Sequence, residues 1–134
     1  MSDLELMQHA AEARKQAYAP YSGFFVGAAL LTRDGKVYRG CNIENASYTP
    51  TNCAERTAFF KAVSEGERDF EAIAIVGGKG EEPSEFCAPC GVCRQVMTEF
   101  CDKELRVLLG TPAHFKAYTL EELFPLSFGK DDLK

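Results

Sequence analysis

Two short cysteine motifs constrain the fold of this chain more than any other feature of its sequence. The first is Cys53-Ala54-Glu55 and the second is Pro89-Cys90-Gly91-Val92-Cys93. Thiolates suit Zn²⁺, and a catalytic zinc ion keeps three protein ligands so that water can occupy the fourth tetrahedral position. The motifs therefore predict one Zn²⁺ per chain, held by Cys53, Cys90 and Cys93, and the fold has to bring both motifs together.

The spacing within each motif indicates how the ligands are presented. Cys90 and Cys93 are one helical turn apart, so both sulfur atoms can face one ion, and Pro89 is well placed to begin that helix. A two-residue step from Cys53 to Glu55 turns about 200° around a regular helix. We therefore expect Cys53 at the start of its helix, where its sulfur and the Glu55 carboxylate can flank the same water. Glu55 would then carry the proton of that water to the leaving group.

The same cysteines also allow a closed structural site. Cys87, Cys90 and Cys93 form two overlapping C-x-x-C pairs, a spacing that occurs in redox pairs and in structural zinc sites. Together with Cys53 they could bind zinc through four thiolates and leave no position for water. Such a site has no use for Glu55. We therefore predict an open site that leaves Cys87 unligated.

The composition excludes several classes of protein. The chain has 134 residues, of which 46% are hydrophobic and 26% charged, so residues 1–134 should form a single globular domain. A net charge of −5 argues against a polynucleotide substrate. We find no apolar run of membrane length and no secretory signal, and clustered cysteines without an export signal favour metal-bound thiolates over disulfides. We therefore expect a cytoplasmic protein without a membrane partner.

The order of the predicted elements indicates an α/β fold. A capping box at Ser2 begins a helix that should run to about Tyr18, and two β-rich runs at 24–33 and 36–43 should pair as an antiparallel hairpin. The pattern then predicts, in order, a helix from 53 to about 66, a buried strand at 72–77, a helix from 90 to about 100, a buried strand at 105–110 and a short helix at 119–124. This order predicts a three-layer α/β/α sandwich whose mixed sheet begins with the hairpin, with both cysteine motifs at helix N-termini.

Polar residues end the second predicted strand, shortly before the first zinc ligand. Asn42 and Glu44 lie on one side of that strand because side chains alternate with a period of two. A polar strand end can be a solvated loop. Because the metal motif follows so closely, we interpret residues 42–48 as a clamp for a polar ligand.

Over nearly its whole length the sequence resembles the cytidine deaminases, specifically the short homotetrameric type with three cysteine ligands. The resemblance rests on residues 21–29, 40–48, 53–56 and 89–95. The cysteine, glutamate and proline pattern is also similar to the signature of zinc nucleobase deaminases. The resemblance implies zinc-dependent hydrolysis of cytidine and 2′-deoxycytidine to uridine and 2′-deoxyuridine, with release of ammonia, in pyrimidine salvage. It also implies a homotetramer with shared active sites.

The resemblance further implies roles for individual residues. Zinc would lie on the three cysteines, hydroxide would attack C4 of cytosine, and Glu55 would carry a proton to ring N3 and later to the departing amine. The remaining expected substrate contacts are Phe24 against the base, Asn42 and Glu44 on the ribose 3′-hydroxyl, Asn45, Ala46 and Ser47 in the same polar stretch, the Ala54 amide on the pyrimidine carbonyl, the Ala88 carbonyl near the amine, and Tyr48 and Phe128 from neighbouring subunits.

Arg56 follows the catalytic glutamate directly and has a predicted role of its own. Three thiolates and one Zn²⁺ together keep a net negative charge, so the metal should be a poorer Lewis acid than one with a neutral histidine ligand. A guanidinium that donates hydrogen bonds to the ligand sulfurs would compensate for that charge. The alternative is an exposed arginine on the second helix.

Three other functions fit parts of the pattern. Blasticidin S deaminases share the cysteine and glutamate pattern, but they lack the arginine after the glutamate, which Arg56 supplies here. Deaminases of nucleotides or of guanine are disfavoured by the nucleoside-like stretch at 42–48. A structural zinc module for protein binding would carry no zinc-bound water and would release no ammonia from cytidine.

Overall fold

The computed structural model describes residues 1–133 and has one five-stranded sheet between two layers of helices. Its elements are, in chain order, α1 (Asp3–Arg14), β1 (Phe25–Thr32), β2 (Val37–Cys41), α2 (Ala54–Ser64), β3 (Phe70–Gly78), α3 (Gly91–Phe100), β4 (Arg106–Thr111), β5 (His114–Thr119), α4 (Leu120–Leu123) and a final 3₁₀ turn (Lys130–Leu133). The strand order is β2-β1-β3-β4-β5, with only the β3–β4 pair parallel in this part of the chain. The predicted three-layer fold with a mixed sheet is confirmed.

The sheet begins with the predicted hairpin. β1 and β2 pair antiparallel from Gly27 opposite Cys41 to Leu31 opposite Val37. The turn between them places Gly35 at φ 92°, a conformation in which glycine carries little strain. The hairpin therefore follows from local turn chemistry, and it brings the polar stretch after β2 close to the start of β1.

Side chains of the central strands alternate between two apolar cores, one on each face of the sheet. The core under α1 contains Leu6, Met7, Ala10, Ala29, Leu31, Ala72, Ala74, Val76 and Leu108. The core under α2 and α3 includes Val26, Ala28, Leu30, Ala58, Phe59, Ile73, Ile75, Cys93, Met97, Val107 and Leu109. Because β1, β3 and β4 are buried on both faces, their sequences are continuous apolar runs.

Two glycines let helices rest directly on the sheet. A Cβ atom at Gly27 would lie 2.1 Å from the carbonyl oxygen of Ala10 in α1, and one at Gly40 would lie 2.3 Å from the carbonyl oxygen of Ala54 in α2. Both distances are far below a van der Waals contact, so a side chain at either position would displace a helix. Gly40 thereby fixes the start of α2, where the first cysteine motif lies.

Two features of the fold differ from the predicted elements. α1 ends at Arg14 instead of Tyr18, because the Tyr18 amide donates to Asn42 O at 2.9 Å and its carbonyl accepts from Glu44 N at 2.8 Å. The backbone of Tyr18 thus pairs with the chain after β2 and leaves the helix. β5 has no counterpart among the predicted elements, because this edge strand is mostly exposed and shows no clear apolar alternation.

Candidate metal centre and active site

The two cysteine motifs lie at the N-termini of neighbouring helices. Cys53 is the N-cap residue of α2 and Cys90 is the N-cap residue of α3, and neither side chain caps its helix. The predicted position of Cys53 is confirmed. The prediction that Pro89 begins the helix is wrong: Cys90 has an extended conformation, and α3 begins at Gly91. Cys93 is therefore the third residue of α3, one position nearer the N-terminus than in the predicted helix that begins at residue 90.

The three predicted ligands meet at one point. The sulfur of Cys90 lies 3.8 Å from that of Cys53 and 3.5 Å from that of Cys93, and all three sulfur atoms lie within 4.8 Å of one another. Tetrahedral coordination with a Zn–S bond of about 2.3 Å places sulfur atoms about 3.8 Å apart. The three thiols therefore fit one zinc ion, and the partial positive charge of two helix N-termini favours their thiolate form.

Cys87 is not part of this sulfur group in the described part of the chain. Burial raises the pKa of its thiol to about 12. A Cβ atom at Gly77 would lie 3.0 Å from Cys87 Cβ and 3.1 Å from Cε1 of Phe24, so Cys87 and the Phe24 ring both lie over Gly77. The geometry thus favours the open three-cysteine site over the closed four-cysteine site, with Cys87 against an aromatic ring.

Arg56 lies against the ligand sulfurs. Its Nη2 donates a hydrogen bond to Cys53 Sγ at 3.2 Å, the contact predicted for it. A hydrogen bond from Cys93, assisted by Arg56, lowers the pKa of Cys53 to about 5, and the same shared proton raises the pKa of Cys93. Within residues 1–133 the buried Nε of Arg56 has no hydrogen-bond partner. The guanidinium is therefore committed to the metal centre and is not an exposed surface group.

Glu55 lies in the first turn of α2 with only 5% of its surface exposed. Burial is the main reason that its pKa is raised to about 7, and the neighbouring Cys53 raises it further. A carboxyl group that titrates near neutral pH can both accept and return a proton. Glu55 is thus a candidate proton carrier two residues from Cys53 in the sequence.

The polar side chains after β2 hold the chain that leads into β1. Asn42 Nδ2 donates to the carbonyl of Phe24 at 2.8 Å, and its Oδ1 accepts from the amide of Val26 at 2.9 Å. Glu44 accepts from the amide of Ser22 at 3.1 Å and from its hydroxyl at 2.5 Å. The sequence predicted that Asn42 and Glu44 bind a ligand. It did not reveal that both side chains also hydrogen-bond to the backbone of residues 22–26.

A surface cavity of about 430 Å³ adjoins this polar stretch. It is lined by Tyr21, Ser22, Glu44, Asn45, Tyr48 and Thr51. Its volume is in the range of small-molecule sites. Tyr21, Ser22 and Thr51 are not among the predicted site residues. Tyr21 and Ser22 nevertheless lie in the stretch 21–29 that carries the family resemblance.

The other predicted site residues are spread over the neighbouring surface. Ala54 is buried at the start of α2, Ala88 is exposed just before the second motif, and Ala46 and Ser47 are exposed in the polar stretch. Tyr48 is 74% exposed with φ 62°, and Phe128 is 59% exposed. The structure therefore brings Cys53, Cys90, Cys93, Glu55 and Arg56 together, whereas two aromatic rings expected near the substrate project into solvent.

Comparison with known proteins agrees with this geometry. The family model of the cytidine and deoxycytidylate deaminase zinc-binding region matches residues 1–109. The cytidine deaminase of Sporosarcina psychrophila is 52% identical over 130 residues, which cover 96% of this chain and 93% of that protein. The blasticidin-S deaminase of Bacillus cereus is 31% identical over 133 residues, which cover 96% of this chain and 94% of that protein.

Solved structures agree as well. The crystal structure of cytidine deaminase from Burkholderia pseudomallei matches this fold with a TM-score of 0.88 and 49% identity, over 96% of this chain and 100% of that chain. The region matched by the family model, residues 1–109, includes both cysteine motifs and the polar stretch before them. The chain therefore belongs to the cytidine and deoxycytidylate deaminase family of zinc-dependent hydrolytic deaminases.

Proposed function

We propose that this enzyme hydrolyses cytidine and 2′-deoxycytidine to uridine and 2′-deoxyuridine and releases ammonia, as a step of pyrimidine salvage. The observation that carries the proposal is the open group of three thiols beside the buried carboxyl group of Glu55. The relatives with about half of their residues identical to this chain are cytidine deaminases, which supports the choice of nucleoside.

The proposed reaction assigns one task to each group. Cys53, Cys90 and Cys93 would hold Zn²⁺, which would supply the Lewis acidity that makes water nucleophilic at neutral pH. Glu55 accepts a proton from that water and delivers it to N3 of the ring while oxygen bonds to C4. Glu55 then takes the second proton from the oxygen on C4 and delivers it to the amine, so that a C=O bond forms at C4 as the C4–N bond breaks and ammonia leaves.

The proposed substrate contacts follow from positions around this centre. Phe24 packs beside Cys87 and would cover one face of the base. The Ala54 amide, in the first turn of α2, would bind the pyrimidine carbonyl, and the Ala88 carbonyl would accept a hydrogen bond from the amine. The ribose would occupy the cavity lined by Glu44 and Asn45, with Asn42 and Glu44 on its 3′-hydroxyl. Ala46 and Ser47 are exposed in the same polar stretch.

A substrate panel tests the proposal directly. Loss of ultraviolet absorbance is followed with cytidine, deoxycytidine, cytosine, CMP and blasticidin S, and zinc content is measured in the same sample. We expect turnover of both nucleosides and little turnover of free cytosine or CMP. Turnover of blasticidin S alone would make blasticidin S deamination the function instead. This second candidate is supported by the 31% identity to the blasticidin-S deaminase of Bacillus cereus. No ammonia from any substrate would favour a structural zinc module.

The location and extent of the enzyme are also proposals. Among residues 1–133, no helix combines the length and apolar character needed to cross a lipid bilayer. All six cysteines are free thiols. Cysteines that are clustered at metal-ligand spacing, and not spread in pairs over the chain, are typical of a reducing compartment. We therefore propose that the enzyme acts in the cytoplasm, with residues 1–134 as one catalytic domain.

A homotetramer with shared active sites is the proposed assembly. Tyr48, Leu126 and Phe128 expose 74%, 104% and 59% of their surfaces, so the described part of this chain does not bury them. The tail that carries Phe128 is nevertheless ordered against α3, because Gln95 Nε2 donates to Phe128 O at 2.8 Å. An aromatic ring that is exposed on a fixed backbone is suited to enter a neighbouring subunit.

Mixed oligomers test whether Phe128 completes a neighbour's site. Phe128→Ala should raise KM roughly three- to tenfold, the size of one aromatic contact, and Glu55→Gln subunits should be nearly inactive. We expect co-expressed tetramers of the two variants to regain a KM close to wild type in part of their sites, because Glu55→Gln subunits supply intact tails. Sedimentation verifies the tetramer. A wild-type KM in a Phe128→Ala homotetramer, or a fully active monomer, would contradict the shared site.

Arg56 is proposed to balance the charge of the three thiolates. Arg56→Gln should lower turnover roughly 10- to 100-fold, as loss of a group that supports a metal ligand commonly does, with a smaller effect on zinc content. Exchanging Cys53 for His in that background should restore part of the activity, because it removes one negative charge. A double-mutant cycle measures this coupling. If the losses of activity caused by Arg56→Gln and by Cys53→His simply add in the double variant, Arg56 acts in folding or assembly instead.

A further inference from the structure

The side chain of Arg14 is a buried cation at the C-terminal end of α1, with 5% of its surface exposed. Its Nε donates to the carbonyl of Phe25 at 3.0 Å. Its Nη1 donates to Glu81 O at 2.9 Å, and its Nη2 donates to Gly78 O at 2.7 Å and to Gly80 O at 2.5 Å. One guanidinium therefore joins the start of β1 to the turn that follows β3.

The last turn of α1 reaches this position because Gly27 has no side chain. A Cβ atom at Gly27 would lie 2.5 Å from the amide nitrogen of Arg14 and 2.8 Å from its Cα. Burial lowers the pKa of Arg14, and the nearby Glu82 partly offsets that effect. Burying a cation is unfavourable unless its donors are satisfied, and here four carbonyl oxygens accept from them.

Both segments held by Arg14 lead to the wall of the substrate site. Phe24 precedes Phe25, and the turn at 78–81 leads back along β3, where Gly77 O accepts from the amides of Ser84 and Glu85 at 3.0 and 3.1 Å. The chain then reaches Cys87. Arg14 thus holds one end of each segment, and the other ends, at Phe24 and Cys87, both lie at the substrate site.

The side chains at the far ends of these segments are Phe24 and Cys87, which both lie over Gly77 and are called here the Phe24–Cys87 wall. This wall adjoins the metal centre, because Phe24 and Cys87 pack against the core cluster that contains Ala54 and the zinc-ligand candidate Cys93. Its two halves come from opposite ends of the chain segment 24–87. The antiparallel pairing of Phe25 with Gly78 holds the base of both halves, and Arg14 ties the turn beyond Gly78 to that pair.

We propose that Arg14 is a positioning residue for the substrate pocket. By holding Phe25 and the turn at 78–81 on one rigid guanidinium, it fixes the spacing of the Phe24–Cys87 wall against which the substrate base packs. This proposal rests on the proposed function, since the base is that of cytidine. Arg14 touches no reacting atom and acts through Phe24 and Cys87.

The test uses Arg14→Met and Arg14→Lys in the zinc-loaded, full-length enzyme. We expect Arg14→Met to raise KM for the nucleoside that the wild type turns over by roughly tenfold or more, with kcat and zinc content within about twofold of wild type. Zinc should remain because its ligands are anchored in α2 and α3 and not in the turn. Arg14→Lys should have a KM between those of the wild type and Arg14→Met, because an ammonium group can donate to carbonyls but lacks the planar, forked geometry of a guanidinium.

Arg106→Met is the matched control. Arg106 Nη1 donates to Asp3 at 2.7 Å and ties the other end of α1 to β4, so this variant also loosens α1 but does not contact the turn. If Arg14 only anchored the helix, both variants would lower Tm and neither would change KM. Gly77→Ala is the positive control. Its added Cβ displaces Phe24 and Cys87 directly, so its change in KM shows the effect of a displaced Phe24–Cys87 wall.

A second readout does not depend on turnover. Alkylation of Cys87 by iodoacetamide, followed by peptide mass spectrometry, reports how often the Phe24–Cys87 wall opens. We expect faster labelling in both Arg14 variants and a wild-type rate in Arg106→Met. Should Arg14→Met fail to fold, Arg14→Lys carries the test. Wild-type KM and labelling rate in Arg14→Lys, or an equal change in Arg106→Met, would overturn the proposal. If the wild-type enzyme is inactive on cytidine, the substrate assignment is wrong. The role of Arg14 is then decided by the rate of Cys87 labelling alone.

Discussion

Replacement of Glu55 by glutamine is expected to lower kcat by a factor of roughly 10² to 10⁴, the contribution typical of a general acid–base group. Glutamine has almost the shape of glutamate but cannot carry a proton between water, ring N3 and the amine. The fold should not suffer, because burial already disfavours the charged form of this carboxyl group. Steady-state kinetics on zinc-loaded protein measures the effect.

Two controls separate catalysis from structure in this variant. Zinc content should equal that of the wild type, because Glu55 is not one of the three grouped thiol ligands. Tm should be unchanged or higher. If Glu55 only favoured the N-terminus of α2, the variant would lose a little stability and keep its turnover. Near-normal kcat in a zinc-loaded variant would remove Glu55 from the mechanism.

Cys90→Ser is expected to lose zinc and with it all measurable activity, whereas Cys87→Ser is expected to keep full zinc occupancy. Cys90 is the central sulfur of the group, within 3.8 Å of both others, so its loss leaves two ligands for the ion. Cys87 packs beside Phe24 instead. Metal analysis of the purified proteins, at one equivalent of zinc per chain in the wild type, makes the comparison.

The pair of variants is informative because each is the control of the other. Both substitutions replace sulfur by oxygen in the same short segment, so any general effect on folding is shared. Equal zinc loss in both would indicate a four-cysteine site and no position for water. Full zinc in Cys90→Ser would mean that another residue ligates the metal. Either outcome would require a different site from the one proposed.

The metal ligands could be identified from the sequence because their arrangement is local. The N-cap position of Cys53 and the one-turn step from Cys90 to Cys93 follow from helix geometry. The hairpin likewise follows from Asp34-Gly35 between two β-rich runs. In each case, neighbouring residues along the chain determine the backbone, so a sequence pattern is sufficient.

The family resemblance supplied what local patterns could not. Spacing alone left the closed four-cysteine site open as an alternative, and it says nothing about cytidine. The position of Arg56 next to the catalytic glutamate suggested its contact with the sulfurs, and the structure places Nη2 3.2 Å from Cys53. Helix geometry alone could not establish that contact, because it depends on which way a long, flexible side chain turns.

Only the tertiary structure decided how distant segments are held together. The early end of α1, the use of Asn42 and Glu44 on the backbone before β1, and the clamp formed by Arg14 all depend on segments far apart in sequence. Arg14 reads in the sequence as one more charged residue in an amphipathic helix. Its burial is possible because Gly27 admits the helix to the sheet and because carbonyls of β1 and of the turn after β3 converge on it. The sequence by itself thus determined the candidate ligands, the proposed proton carrier and the order of every α-helix and strand except β5, which local geometry encodes. The spacing of the pocket wall was decided by the three-dimensional packing of helix against sheet, because the atoms that set it meet only once the chain has folded.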